Sequence, residues 1–304
     1  MLVYIKPLSM FPKLHSDTLF GAILSAVSEI FPSKVDEIIK DFENNNPPFL
    51  LSSTFPNIDS KRFYPKIIQE NKDHSIKDKN ALKEYKKIEY VEEEIFLDLI
   101  RNNLTESDIL NNFDDYTVMN NLLLKNELDE NIEISSTIIP HNSVNRLTKE
   151  TEIFYSEGEE FNNIGLFFII SINNPEYENI IKSSLKFLKD RGFGKNISTG
   201  QGQFDYEISD EDLNFKESGD KFITLSRFIP SSNDIANIDI NSSYEIGSKR
   251  GRSKSGEIRK QVRFFKEGST FPNYGESYGT IVKSGEITPA IEYGYAFPVF
   301  IGGK

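Results

Sequence analysis

The chain has 304 residues, a mass of 34.8 kDa and a formal charge of −12, and this length favours two domains. It contains no cysteine, which excludes disulfides, thiolate-ligated zinc and a cysteine nucleophile. No stretch approaches the roughly 20 apolar residues of a membrane-spanning helix, and the N-terminus lacks the pattern of a signal peptide. We therefore expect a globular, cytoplasmic protein.

The first part of the chain predicts alternating strands and helices. Apolar residues recur at helical spacing in three segments, which predict helices over Ser16–Phe31, Lys34–Phe42 and Glu176–Asp190. Apolar runs or strict alternation predict strands over residues 2–6, Phe49–Ser52, Gly165–Ile172 and Gln203–Ile208. The resulting β-α-β-β-α-β order is the order of a ferredoxin-like fold.

Residues 57–135 interrupt this order after the second strand. They are rich in Asn, Lys, Glu and Asp, and they predict an insertion with helices at Asn80–Ile88 and Ile95–Asn102. The charge run Glu89–Glu94 is typical of a solvated face. After the last strand, the acidic residues 205–220 predict a linker to a second unit, which ends in an apolar, aromatic strand signal at Ile291–Ile301.

One segment of this acidic chain is strongly basic. Residues 247–266 hold eight basic side chains and one acidic one, Glu257, so the rest of the chain carries −19. Its glycines and serines also fit a flexible, solvated loop. Because solubility does not require eight cations on one segment, we interpret it as a local anion-binding element.

A glycine-rich segment, Arg191–Phe204, follows the third predicted helix. Its four glycines allow close approach of the backbone and positive φ, and its Lys and hydroxyl side chains suit phosphate oxygens. It is not a P-loop, because Gly200 is followed by Gln201, and a dinucleotide fingerprint would need a glycine at Ile197. A tight turn between helix and strand remains the alternative to gripping a nucleic-acid backbone.

The order of four segments identifies a resemblance. The glycine-rich segment resembles the glycine-rich loop of the RAMP superfamily of CRISPR-associated proteins. Leu14–Ala22 is similar to the opening helix of the RAMP subunit that caps the crRNA 5′ end in type III-A Csm effector complexes. Residues 141–155 resemble that subunit's thumb hairpin, with Lys149 in place of the expected turn glycine, and Tyr293–Pro298 resembles its closing strand.

The resemblance implies an α+β fold with two ferredoxin-like (RRM-like) domains, residues 1–210 and 211–304. The first would carry an insertion at about 57–160 with the thumb hairpin at about 139–160, and the second would carry the basic loop 247–266. It implies a non-catalytic RNA-binding subunit of a prokaryotic antiviral complex, without metal or cofactor. The implied partners are the crRNA 5′ handle, target RNA at the thumb, the large palm-domain signature subunit and the backbone RAMP subunit.

The resemblance also implies a set of RNA-binding residues at the helix start, the thumb, the glycine-rich segment and the basic segment. They are His15, Ser16, His141, Arg146, Arg191, Lys195, Ser198, Thr199, Gly200, Gly202, Lys249, Arg250, Arg252, Lys254, Arg259 and Lys260.

Two other functions stay open at this point. His15 with Lys195 could supply acid/base chemistry for a metal-independent endoribonuclease that processes repeat RNA, although helix capping or RNA contact by His15 is favoured. A protein-docking scaffold with an acidic body is the third interpretation. We expect His141 to order the base of the hairpin or to stack on a nucleotide, and His74 and the carboxylates at 114–115 and 210–212 to be solvated.

Overall fold

A computed structural model of the chain describes residues 1–69, 79–128, 132–194, 197, 200–251, 258–284 and 290–302. It shows a mixed protein of helices and sheets that are antiparallel except for the parallel pair β5 and β7, which confirms the predicted α+β class. Within these ranges, no helix combines the length and the apolar character needed to cross a bilayer. His74 lies outside the described residues.

The helices are α1 (Ser16–Ile30), α2 (Val35–Glu43), α3 (Lys79–Lys87), α4 (Glu93–Ile100), α5 (Glu106–Asn111), α6 (Glu178–Arg191) and α7 (Ser232–Asn237). The strands up to the thumb are β1 (Leu2–Pro7), β2 (Phe49–Leu51), β3 (Phe55–Ile58), β4 (Lys61–Pro65), β5 (Tyr90–Glu92), β6 (Thr117–Met119) and β7 (Leu122–Leu124). The later strands are β8 (Glu133–Val144), β9 (Thr151–Asn162), β10 (Gly165–Ile172), β11 (Phe204–Ser209), β12 (Lys221–Thr224), β13 (Ile246–Lys249), β14 (Val262–Phe265), β15 (Thr270–Pro272), β16 (Val282–Lys283), β17 (Ile291–Glu292) and β18 (Pro298–Ile301).

The main sheet is built on the predicted strands. β11, β1, β10 and β2 lie side by side in that order, all antiparallel, and Val3 of β1 sits between Phe168 and Ile208. Alternate residues of a strand face opposite sides of a sheet. Val3 and Ile5 therefore face helices α1 and α6, whereas Leu2 and Tyr4 face the opposite side.

β3 pairs with β10 as well, and the insertion extends the sheet from β3 through β4, β5, β7 and β6. The two predicted helices of the insertion are confirmed as α3 and α4. The solvated face predicted for Glu89–Glu94 is wrong in part, because Glu92 is buried and accepts a hydrogen bond from Lys61 at 2.7 Å. The three-residue strands of the insertion are too short for alternation to reveal them.

The second part of the chain packs into the first. β15, β12 and β18 form a three-stranded sheet, and β13 pairs with β14 as a hairpin. Tyr293 and Tyr295 are fully buried among the residues of α1 and α2, where the Tyr293 hydroxyl accepts from the Leu51 amide and the Tyr295 hydroxyl donates to the Phe42 carbonyl. The basic hairpin β13–β14 lies beside the start of α1, where Lys249 pairs with Asp17.

Candidate nucleic-acid interface

At the start of α1, the ring of His15 contacts the carboxylate of Glu267. His15 occupies the N-cap position, but its ring nitrogen Nδ1 lies 2.8 Å from Glu267 Oε1 instead of capping the helix. Ser53 donates its hydroxyl to the same carboxylate oxygen. Burial would raise the pKa of Glu267, but the hydrogen bond and charge of His15, the hydrogen bond of Ser53 and the charge of Arg227 together outweigh burial and lower it. A carboxylate on Nδ1 fixes the orientation of the ring.

His15 lines a groove of about 650 Å³ between the two parts of the chain. The walls come from residues 13–15, from β4 and α3, and from the hairpin β13–β14. Five Lys and Arg side chains and three Glu side chains line it: Lys13, Lys66, Lys86, Arg227, Lys266, Glu89, Glu245 and Glu267. In a chain of net charge −12, this groove is a local concentration of cations suited to an anionic polymer.

A smaller groove of about 290 Å³ continues the first one toward the thumb hairpin. The second groove reaches Glu159 and Phe161 at the base of the hairpin, and the two grooves share Lys13, Leu14, Thr54, Glu89 and Tyr90. The surface therefore runs without interruption from the basic hairpin, past His15, to the thumb.

Two residues of the basic segment are structural. Lys249 Nζ lies 2.7 Å from Asp17 Oδ2 and 2.9 Å from Glu292 Oε2. Arg259 pairs with Glu292 at 3.1 Å, and Arg227 pairs with Asp17 at the same distance. Both carboxylates are almost completely buried.

Burial would raise the pKa of Asp17, but Arg227 and Lys249 outweigh it and lower the pKa. Lys249 and Arg259 therefore neutralise buried carboxylates. We accordingly remove both residues from the predicted set of phosphate contacts.

The other basic side chains differ in their surroundings. Arg250 is exposed and donates from Nε to the Arg259 carbonyl at 3.3 Å. Lys266 pairs with Glu245 at 2.8 Å, and Lys260 is exposed. Arg252 and Lys254 lie outside the described residues.

Ser16 does not face the groove. It is fully buried, its amide donates to the Ser53 hydroxyl, and its hydroxyl accepts from the Arg227 amide. Its polar groups join α1 to the second part of the chain, so it leaves the set of residues that we propose to touch RNA.

The glycine-rich segment is partly a packed turn. Gly192, at φ +90°, is the C-cap of α6, and Phe193 stacks on Phe204 in the core with ring centroids 4.7 Å apart. Gly202, at φ +74°, accepts from the Phe193 amide and donates to the Met10 carbonyl. A Cβ on Gly202 would lie 1.7 Å from the Phe193 carbonyl oxygen. Gly202 is therefore required for packing, and its backbone groups are already used.

Other predicted residues of this segment lie further out. Gly200 is exposed at φ +82°, and its amide donates to the Ile197 carbonyl. Arg191, at the end of α6, is 3.5 Å from Glu29 and covers the Phe187 ring. Lys195, Ser198 and Thr199 lie outside the described residues.

The predicted thumb is a long two-stranded arm. β8 and β9 pair over twelve residues each, and Phe11 bridges Glu159 at the base of the arm. At the tip, Asn145 Oδ1 accepts from the Leu147 amide, and Lys149 adopts φ +62°. Lys149 thus takes the left-handed conformation for which a glycine was expected.

The thumb residues predicted to bind RNA lie in the outer half of the arm. Arg146 is exposed in the tip turn. His141 is half-buried on β8, opposite Phe154 and four residues from the turn. His141 therefore lies near the tip and away from the base of the hairpin, and its stacking on a nucleotide stays a prediction.

The structure adds residues that sequence patterns do not reveal. Lys13, Lys66, Arg227 and Glu267 are separated by up to 254 residues and meet only because the second part of the chain packs beside α1. Of these four residues, only Lys13 could have been found from the local sequence, because it directly precedes the segment Leu14–Ala22.

Comparison with known proteins supports the resemblance. No family model matches the chain. The chain is 24% identical over 276 residues to a curated relative from Methanocaldococcus jannaschii, described as CRISPR system Cms protein Csm4, and the match covers 77% of this chain and 72% of the relative.

The fold is similar to that of a chain in a crystal structure of a Csm3–Csm4 subcomplex of the type III-A CRISPR-Cas interference complex, with a TM-score of 0.72, 20% identity and 99% coverage of both chains. It is also similar to a chain in a crystal structure of a Csm1–Csm4 cassette with AMPPNP, with a TM-score of 0.64, 20% identity, and 99% and 96% coverage of the two chains. The predicted resemblance is confirmed: the chain is like the Csm4-type RAMP subunit in sequence and in fold.

Proposed function

We propose that this Csm4-like chain is a subunit of a type III-A CRISPR interference complex and holds the 5′ handle of the crRNA in the groove beside His15. In that role it links the large signature subunit to the first backbone RAMP subunit, and its thumb contacts the target RNA. The observation that carries the proposal is the groove beside His15, which five Lys and Arg side chains line and which a second groove continues to the base of the thumb.

The groove suits a single strand of RNA in two respects. Lys86 is exposed, and Lys13 is 56% exposed although its Nζ lies 3.7 Å from Glu159 Oε1, so both can reach phosphates. His15 offers a ring whose Nδ1 is held by Glu267, so that its other nitrogen is set to bond one RNA group. The revised set of proposed contacts is His15, Lys13, Lys86, Arg250, Lys260, Arg146, His141, Gly200 and Arg191, together with Lys195, Ser198, Thr199, Arg252 and Lys254, which lie outside the described ranges.

The domain organisation stays part of this proposal. The order β11-β1-β10-β2, with α1 after β1 and α6 after β10, supports a ferredoxin-like domain within residues 1–210. The second ferredoxin-like domain, residues 211–304, rests on the family resemblance. Its described part holds one helix, the six-residue α7.

The test is binding of a 5′-handle RNA by the purified chain at several salt concentrations. We expect Lys13→Ala/Lys86→Ala to weaken binding and to lower the slope of log K against log salt by about 1.4, since each phosphate contact on a single strand adds about 0.7. Lys83→Ala, an exposed substitution on α3 outside the groove lining, is the matched control. Unchanged affinity and slope in the double variant contradict the proposal.

A second function has one specific observation in its favour. The His15–Glu267 pair is the arrangement that orients a histidine for general acid/base work. A metal-independent endoribonuclease would cleave repeat RNA in EDTA and lose that activity in His15→Ala. We expect the RNA to stay intact with the wild-type chain, and cleavage that depends on His15 would replace the binding role with the enzymatic one.

A further inference from the structure

One carboxylate determines which nitrogen of the His15 ring carries the proton. Glu267 Oε1 lies 2.8 Å from His15 Nδ1 and also accepts the hydroxyl proton of Ser53, whose oxygen accepts from the Ser16 amide. Although burial alone would raise the pKa of Glu267, its neighbours lower it. The carboxylate is therefore ionised near neutral pH and can only accept hydrogen bonds. The bond between the two side chains consequently needs its proton on Nδ1.

The loop that carries Glu267 is fixed against the first part of the chain. Gly268 has φ +86°, its amide donates to the Thr224 carbonyl at 2.8 Å, and its carbonyl accepts from the Ile68 amide at 2.8 Å. A Cβ at Gly268 would lie 2.3 Å from the Lys66 carbonyl oxygen. These backbone contacts set the position of the Glu267 carboxylate relative to the start of α1.

The second ring nitrogen of His15, Nε2, is left to the groove. The side chain is 28% exposed and lines the groove of about 650 Å³. Among the residues that the structure describes, Nε2 has no hydrogen-bond partner. In a neutral ring with its proton on Nδ1, Nε2 carries a lone pair and can accept a hydrogen bond but cannot donate one. Phosphate oxygens are acceptors as well, so the neutral ring does not suit a phosphate.

An RNA strand offers hydrogen-bond donors on its riboses and on its bases. Resting on the proposed function, we propose that Glu267 is a positioning residue that holds the proton of His15 on Nδ1, so that Nε2 accepts a hydrogen bond from a ribose 2′-hydroxyl or a base amino group of the strand in the groove. His15 then selects one nucleotide, whereas Lys13 and Lys86 attract the backbone of the strand.

Small changes in the RNA identify the donor. Two series of handle RNAs are compared with the unmodified strand: one has a single 2′-deoxy sugar at each position in turn, and the other lacks a single base amino group. Binding to the purified chain is measured at about pH 8.5, above the range in which imidazoles usually change charge. We expect one modified strand to bind the wild type about three- to tenfold more weakly, the usual effect of one hydrogen bond. The series that contains this strand shows whether the donor is a hydroxyl or an amine.

The same penalty is then measured in a variant of His15. His15→Asn keeps an N–H donor close to the position of Nδ1 but has no atom in the place of Nε2. We expect the modified and the unmodified strand to bind His15→Asn within about twofold of each other. The slope of log K against log salt is expected to stay that of the wild type, because the neutral ring binds no phosphate.

The role of Glu267 is tested with two uncharged side chains of similar size. Glu267→Met removes the acceptor, and Glu267→Gln keeps an amide oxygen that can accept from His15 Nδ1 and from Ser53. Because both variants remove the same charge from the groove, a difference between them reports the hydrogen bond alone. We expect the penalty for the modified strand to fall below about twofold in Glu267→Met and to return to about threefold or more in Glu267→Gln.

If Glu267→Met does not fold, the ring nitrogens of the wild type decide the question. Nitrogen-15 spectra of the three histidines distinguish a protonated ring nitrogen from a bare one. We expect His15 to carry its proton on Nδ1 at about pH 8.5, and a proton on Nε2 overturns the inference.

The outcomes separate this inference from the proposed function. A wild-type chain that does not bind handle RNA overturns both. Wild-type binding in which no modified strand shows a penalty that depends on His15 overturns this inference alone, and so does an equal penalty in Glu267→Met and the wild type. A salt slope that is lower by about 0.7 in His15→Asn also overturns it, because the ring would then contact a phosphate.

Discussion

Removing the charge of Lys249 separates a structural role from an RNA-binding role. The sequence pattern treats Lys249 and Arg250 alike, as neighbouring cations of one basic segment. In the structure Lys249 bridges Asp17 and Glu292 at 2.7 and 2.9 Å, whereas Arg250 is exposed. Lys249→Met keeps the aliphatic stem of the side chain and removes only the charge.

The expected magnitude follows from what remains around the two carboxylates. Breaking a fully buried ion pair costs about 3–5 kcal/mol. Lys249 is 29% exposed, and Arg227 and Arg259 still pair with Asp17 and Glu292 in the variant. We therefore expect a loss of about 1–2 kcal/mol in the free energy of unfolding, with solvent screening reducing the full value.

The assay is urea unfolding of the two variants, followed by RNA binding at fixed salt. Lys249→Met is expected to lower the free energy of unfolding, and Arg250→Met is expected to change it by less than about 0.5 kcal/mol while weakening RNA binding. If Lys249→Met unfolds like the wild type and loses RNA affinity to the same degree as Arg250→Met, the structural role that we assign to Lys249 is refuted.

Two further predictions concern acid stability and the glycine-rich segment. Asp17 and Glu267 both have pKa values lowered by folding, so the unfolded chain binds more protons than the folded chain. The stability that these two carboxylates contribute is present in full above their unfolded pKa values near 4 and is lost as pH falls through their folded pKa values. Below pH 4, the free energy of unfolding should therefore fall less steeply with decreasing pH in Asp17→Asn than in the wild type. An identical pH dependence would contradict the lowered pKa of Asp17. Gly202→Ala should destabilise the chain by about 2 kcal/mol or more, because its Cβ would clash with the Phe193 carbonyl at positive φ. Gly200 also has a positive φ, but a Cβ there would meet no atom. Thermal unfolding of Gly200→Ala should therefore show a loss of only about 1 kcal/mol in the free energy of unfolding. Equal losses in the two variants would show that packing does not distinguish the two glycines.

The elements of the main sheet were predictable because their signals are local. Gly165–Ile172 is the predicted strand to the residue, and the predicted start of α1 at Ser16 is confirmed. Apolar spacing alone specifies such elements, since one face of each must be buried. The strands β5–β7 were not predictable, because three residues carry too little alternation and their burial depends on neighbours distant in sequence.

The candidate site was predictable only as a set of segments. The sequence indicates the helix start, the glycine-rich segment and the basic segment as separate features. Which of their side chains can contact RNA depends on contacts between residues distant in sequence. Lys249 forms an ion pair with Asp17, and the buried Ser16 hydroxyl accepts a hydrogen bond from the Arg227 amide. A charge count along the chain cannot distinguish a cation that neutralises a buried carboxylate from one that faces solvent.

The position of RNA relative to Lys13 tests the central claim most directly. Lys13 lies where the two grooves meet, so a photoreactive side chain placed at this position in the reconstituted complex should cross-link to the 5′-terminal nucleotides of the crRNA. Sequencing of the adduct identifies the nucleotide. Cross-links confined to the 3′ end of the guide, or to protein alone, would contradict the proposal that this groove holds the 5′ handle.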